Sequence, residues 1–463
     1  MKHLHILGIC GTAMAAIAKL AKDAGWRVTG VDDGVYPPMS DFLAAEGIAV
    51  LDGFDAAHLE PAPDLVVIGN ALSRGNVEVE AVLDRGLPYM SGPGFLGHYA
   101  LPGRYAFVVA GTHGKTSTAS LLAHVLDQAG MQPGFLIGGI PENFGSGARL
   151  GGGTCFVLEG DEYDTAFFDK RSKFLHYHAR TLILNNLEYD HADIFSDLEA
   201  IKLQFHHLVR TVPSSGRIIV NADDRELADV LVRGCWTPTV SFAARDGAPA
   251  DWQWEALNDD GSTFRLFRQG KKVMDVQWCM LGMHHAANAC AVAAAATEAG
   301  VSVKVVKQAF ASFRGVRRRM TLVGEARGVK VFDDFAHHPT AIAGVVAAAR
   351  AHMSGEGRLW VVVEPRSNTM RTKIHQARLP ACFDGADFVM FVPPAALGMR
   401  QDELLDVEAV CRDIGAHAQV LANAETIVDF ISAHARAGDH VLILSNGDFG
   451  GIHQKLLQEL QMS

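Results

Sequence analysis

The chain has 463 residues, of which 49% are hydrophobic and 20% are charged, and its formal net charge is -11. This composition excludes a disordered or fibrous chain, and the negative charge argues against a general nucleic-acid-binding protein. The length exceeds what one hydrophobic core supports, so we expect three domains.

Seven cysteines occur singly, without a Cys-x-x-Cys pair. This pattern favours thiols in a reducing cytosol over disulfides or a zinc site. Gly8 and Gly11 break the apolar N-terminal run as a strand–turn–helix would, and no other apolar run is long enough to span a bilayer. We therefore expect a cytoplasmic protein without a membrane anchor.

The first segment reads as a nucleotide-binding βαβ unit. A predicted strand at 3–7 is followed by a glycine turn, an alanine-rich helix and a second strand at 27–31 that ends in Asp32. Only Gly-x-x-Gly of the three-glycine fingerprint is present, so an ordinary βα turn stays open as an alternative. A further strand at 65–69 delivers Ser73 to a strand end, where open α/β sheets bind ligands.

A second segment begins near residue 105, after a cluster of prolines and glycines. Its opening stretch, 105–118, predicts a buried strand, a glycine-bearing turn and a helix, so backbone N–H groups around Gly114 would face an anion. Lys115 would add a charge for outer phosphates, and the Thr116 hydroxyl could bind magnesium. Because Val109 stands where a Walker loop has its first glycine, the loop is a shortened one, and an ordinary turn with a surface lysine is the alternative.

Two later strands in this segment end in polar residues. The strand at 154–158 runs into Glu159, where a hard oxygen ligand for magnesium is needed beside a phosphate loop. The strand at 181–184 leads to His191. A solvated acidic loop and a structural histidine are the corresponding alternatives.

The remaining chain continues the α/β alternation. Short alternating runs at 252–276 predict an antiparallel ribbon, and a third segment begins with a strand at 329–332. Its later strands predict another parallel sheet with helices on both faces. The fold class is therefore α/β in three domains: an N-terminal Rossmann-like domain at 1–105, a central P-loop ATPase domain at 106–320 and a C-terminal Rossmann-like domain at 321–463.

Taken in chain order, these motifs resemble those of the Mur ligases, the ATP-dependent amide-forming enzymes of peptidoglycan synthesis. The resemblance covers the whole chain and rests on the motifs at 111–117, 159–162, 186–191, 282–288, 317–319, 333–339 and Arg366. Within the family, five stretches resemble the branch that serves cell-wall recycling: 35–40, 73–76, 332–340, 364–370 and 445–451.

This resemblance implies an enzyme that joins UDP-N-acetylmuramate to the tripeptide L-alanyl-γ-D-glutamyl-meso-diaminopimelate through an acyl phosphate, with ATP and Mg²⁺. Lys115, Glu159 and His191 would be catalytic, and Thr116, Glu159 and His191 would bind metal ions. The implied ATP-binding residues are Gly111, Thr112, His113, Gly114, Lys115, Thr116, Ser117, His284, Asn288, Arg319, Asp334 and His338. The implied substrate-binding residues are Gly11, Thr12, Asp32 and Ser73 for the UDP-sugar, and Arg366, Ser367 and Asn368 for the peptide. A monomer is favoured, with no nucleic-acid or membrane partner.

Two positions depart from the family pattern. His285 stands where the adenine motif usually has asparagine, and the register of Lys202 does not match the carbamylated lysine of some members, so Lys202 is left out of the site. The rival functions are an L-alanine-adding ligase of the same family, a P-loop switch or motor ATPase, and a nicotinamide-dependent dehydrogenase that would rest only on the N-terminal glycine turn.

Overall fold

The computed structural model describes residues 1–36, 39–353 and 355–462. Pro37 and Pro38 of the motif at 35–40, and the last residue of the predicted third domain, lie outside the described residues. The chain divides into two compact units. The first unit comprises Met1–Leu187, Ile201–Phe242 and Ala291–Ala309, and the second comprises Glu188–Ala200, Ala243–Cys290 and Phe310–Ser463.

The first sheet of the first unit has five parallel strands in the order β3-β2-β1-β4-β5. They are β1 (His3–Leu7), β2 (Arg27–Asp32), β3 (Ala49–Asp52), β4 (Leu65–Ile68) and β5 (Tyr89–Ser91), and the helices are α1 (Thr12–Asp23), α2 (Met39–Ala45), α3 (Val77–Asp84) and α4 (Gly92–Phe95). The three predicted strands are confirmed. β3 was not predicted because its side chains are mostly exposed and give no apolar run.

The second sheet of this unit runs β14-β13-β12-β6-β9-β7-β8, parallel except for the antiparallel pair β7 and β8. Its strands are β6 (Tyr105–Ala110), β7 (Gly134–Leu136), β8 (Ala148–Arg149), β9 (Cys155–Gly160), β12 (Thr181–Leu184), β13 (Arg217–Asn221) and β14 (Thr239–Ala244). A separate antiparallel hairpin is formed by β10 (Asp164–Ala166) and β11 (Asp169–Ser172), and the helices are α5 (Lys115–Gln128), α6 (Leu198–Thr211) and α7 (Arg225–Val232). The near-continuous burial of β6, β9 and β12 is that expected of central parallel strands.

The second unit contains the predicted antiparallel ribbon, which is confirmed as β15 (Trp252–Ala256), β16 (Thr263–Arg268) and β17 (Lys271–Gln277). The alanine-rich helix α8 (Met283–Glu298) follows, and then α9 (Val303–Ser312). Residues of both helices are divided between the two units.

The last sheet has the order β18-β19-β23-β20-β21-β22. Its elements are β18 (Thr321–Ala326), β19 (Val329–Asp334), α10 (Pro339–His352), β20 (Leu359–Val363), β21 (Phe388–Phe391), α11 (Val407–Ile414), β22 (Ala418–Val420), α12 (Ala424–His434), β23 (His440–Leu444) and α13 (Ile452–Met462). One hydrophobic core contains residues of α10 and α11 and the other contains residues of α12 and α13, so helices cover both faces as predicted.

Two details of this sheet differ from the sequence-based expectation. An extra strand, β18, precedes β19 and pairs with it in the antiparallel direction, so the sheet is not wholly parallel. β18 escaped prediction because only Ala326 in it is buried, which leaves no apolar pattern. Asp333 and Asp334 are the last residues of β19 rather than the first residues after it.

No helix among the described residues combines the length and the apolar character needed to cross a membrane. In the same part of the chain, no disulfide joins any of the seven cysteines.

A buried carboxylate, Asp439, ties the start of β23 to the start of β20. It accepts hydrogen bonds from the Trp360 indole at 2.9 Å and from the Arg358 guanidinium Nη2 at 2.7 Å. Burial works to raise the pKa of Asp439, but the hydrogen bonds from Arg358 and Trp360 outweigh it and hold the pKa below its ordinary value.

We expect Asp439→Ala to lower the free energy of unfolding by about 3 kcal/mol, because it leaves a partly buried guanidinium and an indole N–H without their acceptor. This loss of unfolding free energy should be largest at pH values above the ordinary pKa of an aspartate. It should shrink as the pH falls through the lowered pKa that Asp439 has in the folded protein. Urea unfolding at neutral and acid pH measures both effects. The exposed pair of Asp402 and Arg400 supplies the control, since Asp402→Ala should lower the free energy of unfolding much less than Asp439→Ala; equal losses in the two variants would contradict this account.

Candidate active site

The predicted phosphate loop has the expected geometry. Strand β6 ends at Ala110, and α5 begins at Lys115 with Gly114 as its N-cap at φ 77°. Gly111 has φ 148°, and a Cβ there would lie 3.1 Å from the Asn185 Cβ, so this position requires glycine. The first N–H groups of α5 are therefore available at a helix N-terminus, where an anion is stabilised.

Lys115 is held at the loop by neighbouring acceptors in the same unit. Its Nζ donates to the Gly111 carbonyl at 2.6 Å and lies 3.0 Å from Glu162 Oε2. Burial works to lower the pKa of Lys115, but the charges of Glu162 and Asp161 outweigh it and raise the pKa above its ordinary value. Lys115 is therefore a protonated, preoriented cation.

Glu162 is a site residue that sequence reasoning missed. Its side chain is 2% exposed and pairs with Lys115, although only the first acid of the run 159–162 was selected as a functional residue. The sequence did carry a signal for Glu162, because this residue lies three positions after Glu159 at the end of the same strand.

A second missed residue is Asn186, which clamps the phosphate loop. Its Oδ1 accepts the His113 N–H at 2.8 Å, its Nδ2 donates to the His113 carbonyl at 3.2 Å, and its own carbonyl accepts the Thr112 N–H at 3.2 Å. A side-chain amide carries a donor nitrogen and a separate acceptor oxygen, so it can bond the N–H and the carbonyl of one residue at the same time. Asn186 thus fixes the backbone of the loop.

We expect Asn186→Leu to raise the KM for ATP roughly thirtyfold, because two hydrogen bonds of about 1 kcal/mol each are lost from the loop. Steady-state kinetics with ATP as the varied substrate measures this. Asn423→Leu, which removes the amide that caps α12 by accepting the Thr426 N–H at 2.9 Å, is the matched control and should leave the KM for ATP unchanged. An unaltered KM in Asn186→Leu would contradict the clamp.

Glu159 and Thr116 provide oxygen donors near the loop. Glu159 lies in β9 opposite Val109 of β6, and its Oε1 accepts the Gly138 N–H at 2.8 Å. Thr116 is the second residue of α5. The carboxylate and the hydroxyl are hard ligands suited to Mg²⁺, so the residues present fit this ion. Their metal-binding roles stay predictions, as does the nucleotide-binding role of Ser117.

The N-terminal glycine turn is braced by Asp32. Its Oδ2 accepts the Cys10 N–H at 2.8 Å, and its Oδ1 accepts the Asp33 N–H at 2.9 Å. Gly11 is the N-cap of α1 and carries no capping side chain, so the first N–H groups of that helix, beginning at Thr12, have no side-chain cap. Asp32 therefore shapes the turn, and binding of a UDP-sugar there stays a prediction.

Ser73 lies in the loop after β4. Its carbonyl accepts the Asn76 N–H at 3.4 Å, and Asn76 in turn caps α3. The adjacent Arg74 pairs with Glu80 through Nε at 2.8 Å and Nη2 at 2.9 Å. The loop is thus anchored to α3, which places the Ser73 hydroxyl on an ordered segment.

In the second unit, His191 follows a buried carboxylate. Its N–H donates to Asp190 Oδ1 at 2.7 Å, and its φ is 57°, a left-handed conformation uncommon for histidine. Burial works to raise the pKa of Asp190, but the neighbouring His191, His337 and His338 outweigh it and lower the pKa. Asp190 therefore stays ionised, and its negative charge interacts with the three neighbouring histidines.

Glu188 connects the same loop to α10. Its Oε2 accepts from the Thr340 hydroxyl at 2.8 Å and from Arg378 Nη2 at 3.3 Å. His338 caps α10 and packs edge-on against His375 at 4.6 Å between ring centroids. The predicted residues His191 and His338 therefore share one neighbourhood.

The predicted adenine-binding residues lie at the start of α8 and near β19. His284 and His285 pack with ring centroids 4.1 Å apart. Burial, assisted by the charges of His284 and Arg319, lowers the pKa of His285 well below its ordinary value. His285 is thus neutral at pH 7. Asn288 is buried one helical turn further on.

Asp334 organises the segment before it. Its two oxygens accept the Met320 and Ala336 N–H groups at 2.7 Å each. Burial raises the pKa of Asp334, and the Arg319 charge only partly offsets this. Arg319 lies over the Phe335 ring at 5.1 Å. The nucleotide-binding roles of Arg319 and Asp334 stay predictions.

The predicted peptide-binding segment is also ordered by its neighbours. Arg366 packs over Gly447, where any Cβ would collide with its guanidinium, and its Nη1 lies 3.4 Å from Glu364 Oε1. The Ser367 hydroxyl accepts the Met370 N–H at 3.1 Å. Asn368 donates to Asp193 Oδ2 at 2.9 Å.

Lys202 lies outside this arrangement. It is buried in α6 and pairs with two carboxylates of α7, Glu226 and Asp229, the latter at 3.0 Å. Leaving Lys202 out of the site stays a prediction.

Comparison with known proteins finds matches to one protein family in three successive stretches of the chain. The family models "Mur ligase family, catalytic domain", "Mur ligase middle domain" and "Mur ligase, glutamate ligase domain" match residues 3–103, 109–296 and 318–447. The predicted three-domain α/β organisation is confirmed, while the boundaries at 105 and 320 stay predictions.

Two curated relatives and one solved structure are similar over nearly their full length. The chain is 46% identical over 462 residues to a UDP-N-acetylmuramate–L-alanyl-γ-D-glutamyl-meso-2,6-diaminoheptandioate ligase of Haemophilus influenzae, covering 100% of both chains. It is 49% identical over 457 residues to the enzyme of that name in Escherichia coli, covering 99% of this chain and 98% of the relative. A crystal structure of a murein peptide ligase from Psychrobacter arcticus is 44% identical, with a TM-score of 0.75 and coverage of 100% of this chain and 99% of that one.

Proposed function

The chain belongs to the Mur ligase family, and from this premise we propose that it joins UDP-N-acetylmuramate to L-alanyl-γ-D-glutamyl-meso-diaminopimelate at the expense of ATP. The observation that carries the proposal is 46–49% identity, over nearly the full length, to two relatives whose names specify this ligation. The chain is a ligase of the amide-forming type. Its cytoplasmic location and monomeric state stay predictions.

The chemistry begins with two anions that repel each other. The muramic acid carboxylate attacks the γ-phosphorus of ATP, ADP leaves, and an acyl phosphate forms. Lys115 supplies a fixed positive charge for the β- and γ-phosphates, and the N–H groups at the start of α5 add to it. Because Lys115 is already protonated and oriented, little reorganisation is needed when charge develops on the phosphoryl oxygens.

The second step joins the peptide. Its amino group attacks the acyl carbon, a tetrahedral intermediate forms, and phosphate leaves. Arg366 suits a peptide carboxylate because a guanidinium binds a carboxylate through two parallel hydrogen bonds. When bound, Mg²⁺ would neutralise phosphate charge; Thr116 and Glu159 would hold one ion, and His191 would hold a second.

A substrate panel tests this function. Purified protein is incubated with UDP-N-acetylmuramate and ATP, together with either the tripeptide or L-alanine, and phosphate release and product mass are measured. We expect product with the tripeptide and little with L-alanine. Turnover with L-alanine alone would establish the L-alanine-adding ligase instead, and ATP hydrolysis independent of the UDP-sugar would favour a switch or motor ATPase.

A further inference from the structure

The side-chain amide of Asn368 is held from both ends within the second unit. Arg371 Nη2 donates to its Oδ1 at 2.8 Å, and its own Nδ2 donates to Asp193 Oδ2 at 2.9 Å. These two partners fix which end of the amide is oxygen, because Arg371 can only donate and an ionised Asp193 can only accept. Sequence reasoning placed Asn368 in the peptide-binding segment without assigning it this connection.

Arg371 is suited to the role of an anchor rather than to ligand contact. It is 7% exposed, and its side chain donates to Asn368 Oδ1 and to the Ala395 carbonyl, the latter at 3.2 Å. Within the part of the chain that the structure describes, its Nε has no hydrogen-bond acceptor. A buried guanidinium normally pairs with a carboxylate, but the Arg371 guanidinium donates its hydrogen bonds to a side-chain amide and a backbone carbonyl.

The partner at the other end, Asp193, follows His191 by two residues. The loop around them is attached to the third segment at several points. Besides the Asn368 contact, the Ala192 N–H donates to the Thr369 hydroxyl at 3.4 Å, and Glu188 binds Thr340. His191 lies between these attachments in its left-handed conformation.

We propose that Arg371, Asn368 and Asp193 form a positioning relay that sets the place of His191 from the segment 366–371. None of the three is a catalytic residue in this scheme. The relay connects the segment that would face the peptide to the loop that would bind the ion next to the acyl phosphate, and it therefore rests on the proposed function. A displacement of about 1 Å at such a loop costs up to a hundredfold in rate.

The hydrogen bond between the Asn368 amide and the Asp193 carboxylate can be tested by exchanging the amide and the carboxylate between the two positions. Asn368→Asp keeps the size of the side chain and its bond from Arg371, but it places a second carboxylate against Asp193. The double variant Asn368→Asp with Asp193→Asn restores the hydrogen bond with its direction reversed, since the new amide at 193 donates to the new carboxylate at 368. Because a contact that serves folding alone would predict the same recovery, kcat is expressed per folded protein, with the folded fraction of each variant measured by circular dichroism.

The experiment compares wild type, Asn368→Asp, Asp193→Asn and the double variant in the tripeptide ligation, with kcat and the KM for ATP measured separately. We expect kcat to fall about tenfold or more in Asn368→Asp and to return to within about threefold of wild type in the double variant. The KM for ATP should change less than about twofold, because none of the three relay residues is among those predicted to bind ATP. A double variant as slow as Asn368→Asp, or an Asn368→Asp variant as fast as wild type, would overturn the relay.

A second pair keeps the proposal testable if Asn368→Asp does not fold. Arg371→Lys retains a donor and should keep more of the wild-type kcat than Arg371→Met, which cannot orient the amide; equal rates in these two variants would also overturn the relay. If the wild-type protein itself forms no tripeptide product, the proposed function fails, which is a result distinct from failure of the relay.

Discussion

Lys115→Ala is expected to lower the rate of ligation about a thousandfold, with binding of the UDP-sugar nearly unchanged. The reason is the preorganised charge at the N-terminus of α5. Lys115 Nζ is fixed by the Gly111 carbonyl and Glu162, and its raised pKa keeps it protonated throughout the pH range in which ATP is a substrate. Its removal takes the fixed side-chain charge away from the phosphate oxygens and leaves the backbone N–H groups of the loop in place.

Two measurements check this result together. Coupled release of ADP follows turnover, and calorimetric titration with UDP-N-acetylmuramate follows sugar binding. Lys272→Ala, an exposed lysine on β17 that pairs with Asp275, is the control and should behave as wild type. If Lys115→Ala lost UDP-sugar binding together with turnover, the assignment of the UDP-sugar to the N-terminal segment would be wrong.

Much of the fold could be predicted because buried parallel strands leave long apolar runs in the sequence. β1 and β12 consist almost wholly of buried residues, and both were predicted with their observed bounds. The short or half-exposed strands β3, β8 and β18 could not be found this way. Their stability comes from pairing with a neighbour, which single-sequence periodicity does not contain.

The residues of the candidate site also fall into two groups, those with a local signal in the sequence and those whose role depends on distant contacts. Lys115, Glu159 and His191 carry a local signal because each lies at or soon after the end of a buried strand, and a glycine turn also precedes Lys115. The contribution of Asn186 depends on the His113 backbone, 73 residues away in sequence. Likewise, the bond between Asn368 and Asp193 spans 175 residues. Such contacts become visible only when the chain is folded.

His191→Asn is expected to reduce ligation about a hundredfold and to raise the Mg²⁺ concentration needed for half-maximal rate. Asparagine is the informative replacement, because it tolerates the left-handed φ of 57° that this position adopts. The backbone N–H that donates to Asp190 is kept, so the change isolates the imidazole. Activity is measured as a function of Mg²⁺ at saturating ATP.

A glycine at the same position separates backbone strain from ligand chemistry. His191→Gly removes the strain and the imidazole together, so a rate equal to that of His191→Asn would assign the loss to the imidazole alone. If instead His191→Asn kept full activity with an unchanged Mg²⁺ requirement, the ring would have no role in metal binding. The histidine would then serve the buried Asp190 carboxylate, whose lowered pKa depends on its positive neighbours. The His191→Asn variant should in that case lose stability, because it removes one of the charges that lower the pKa of Asp190.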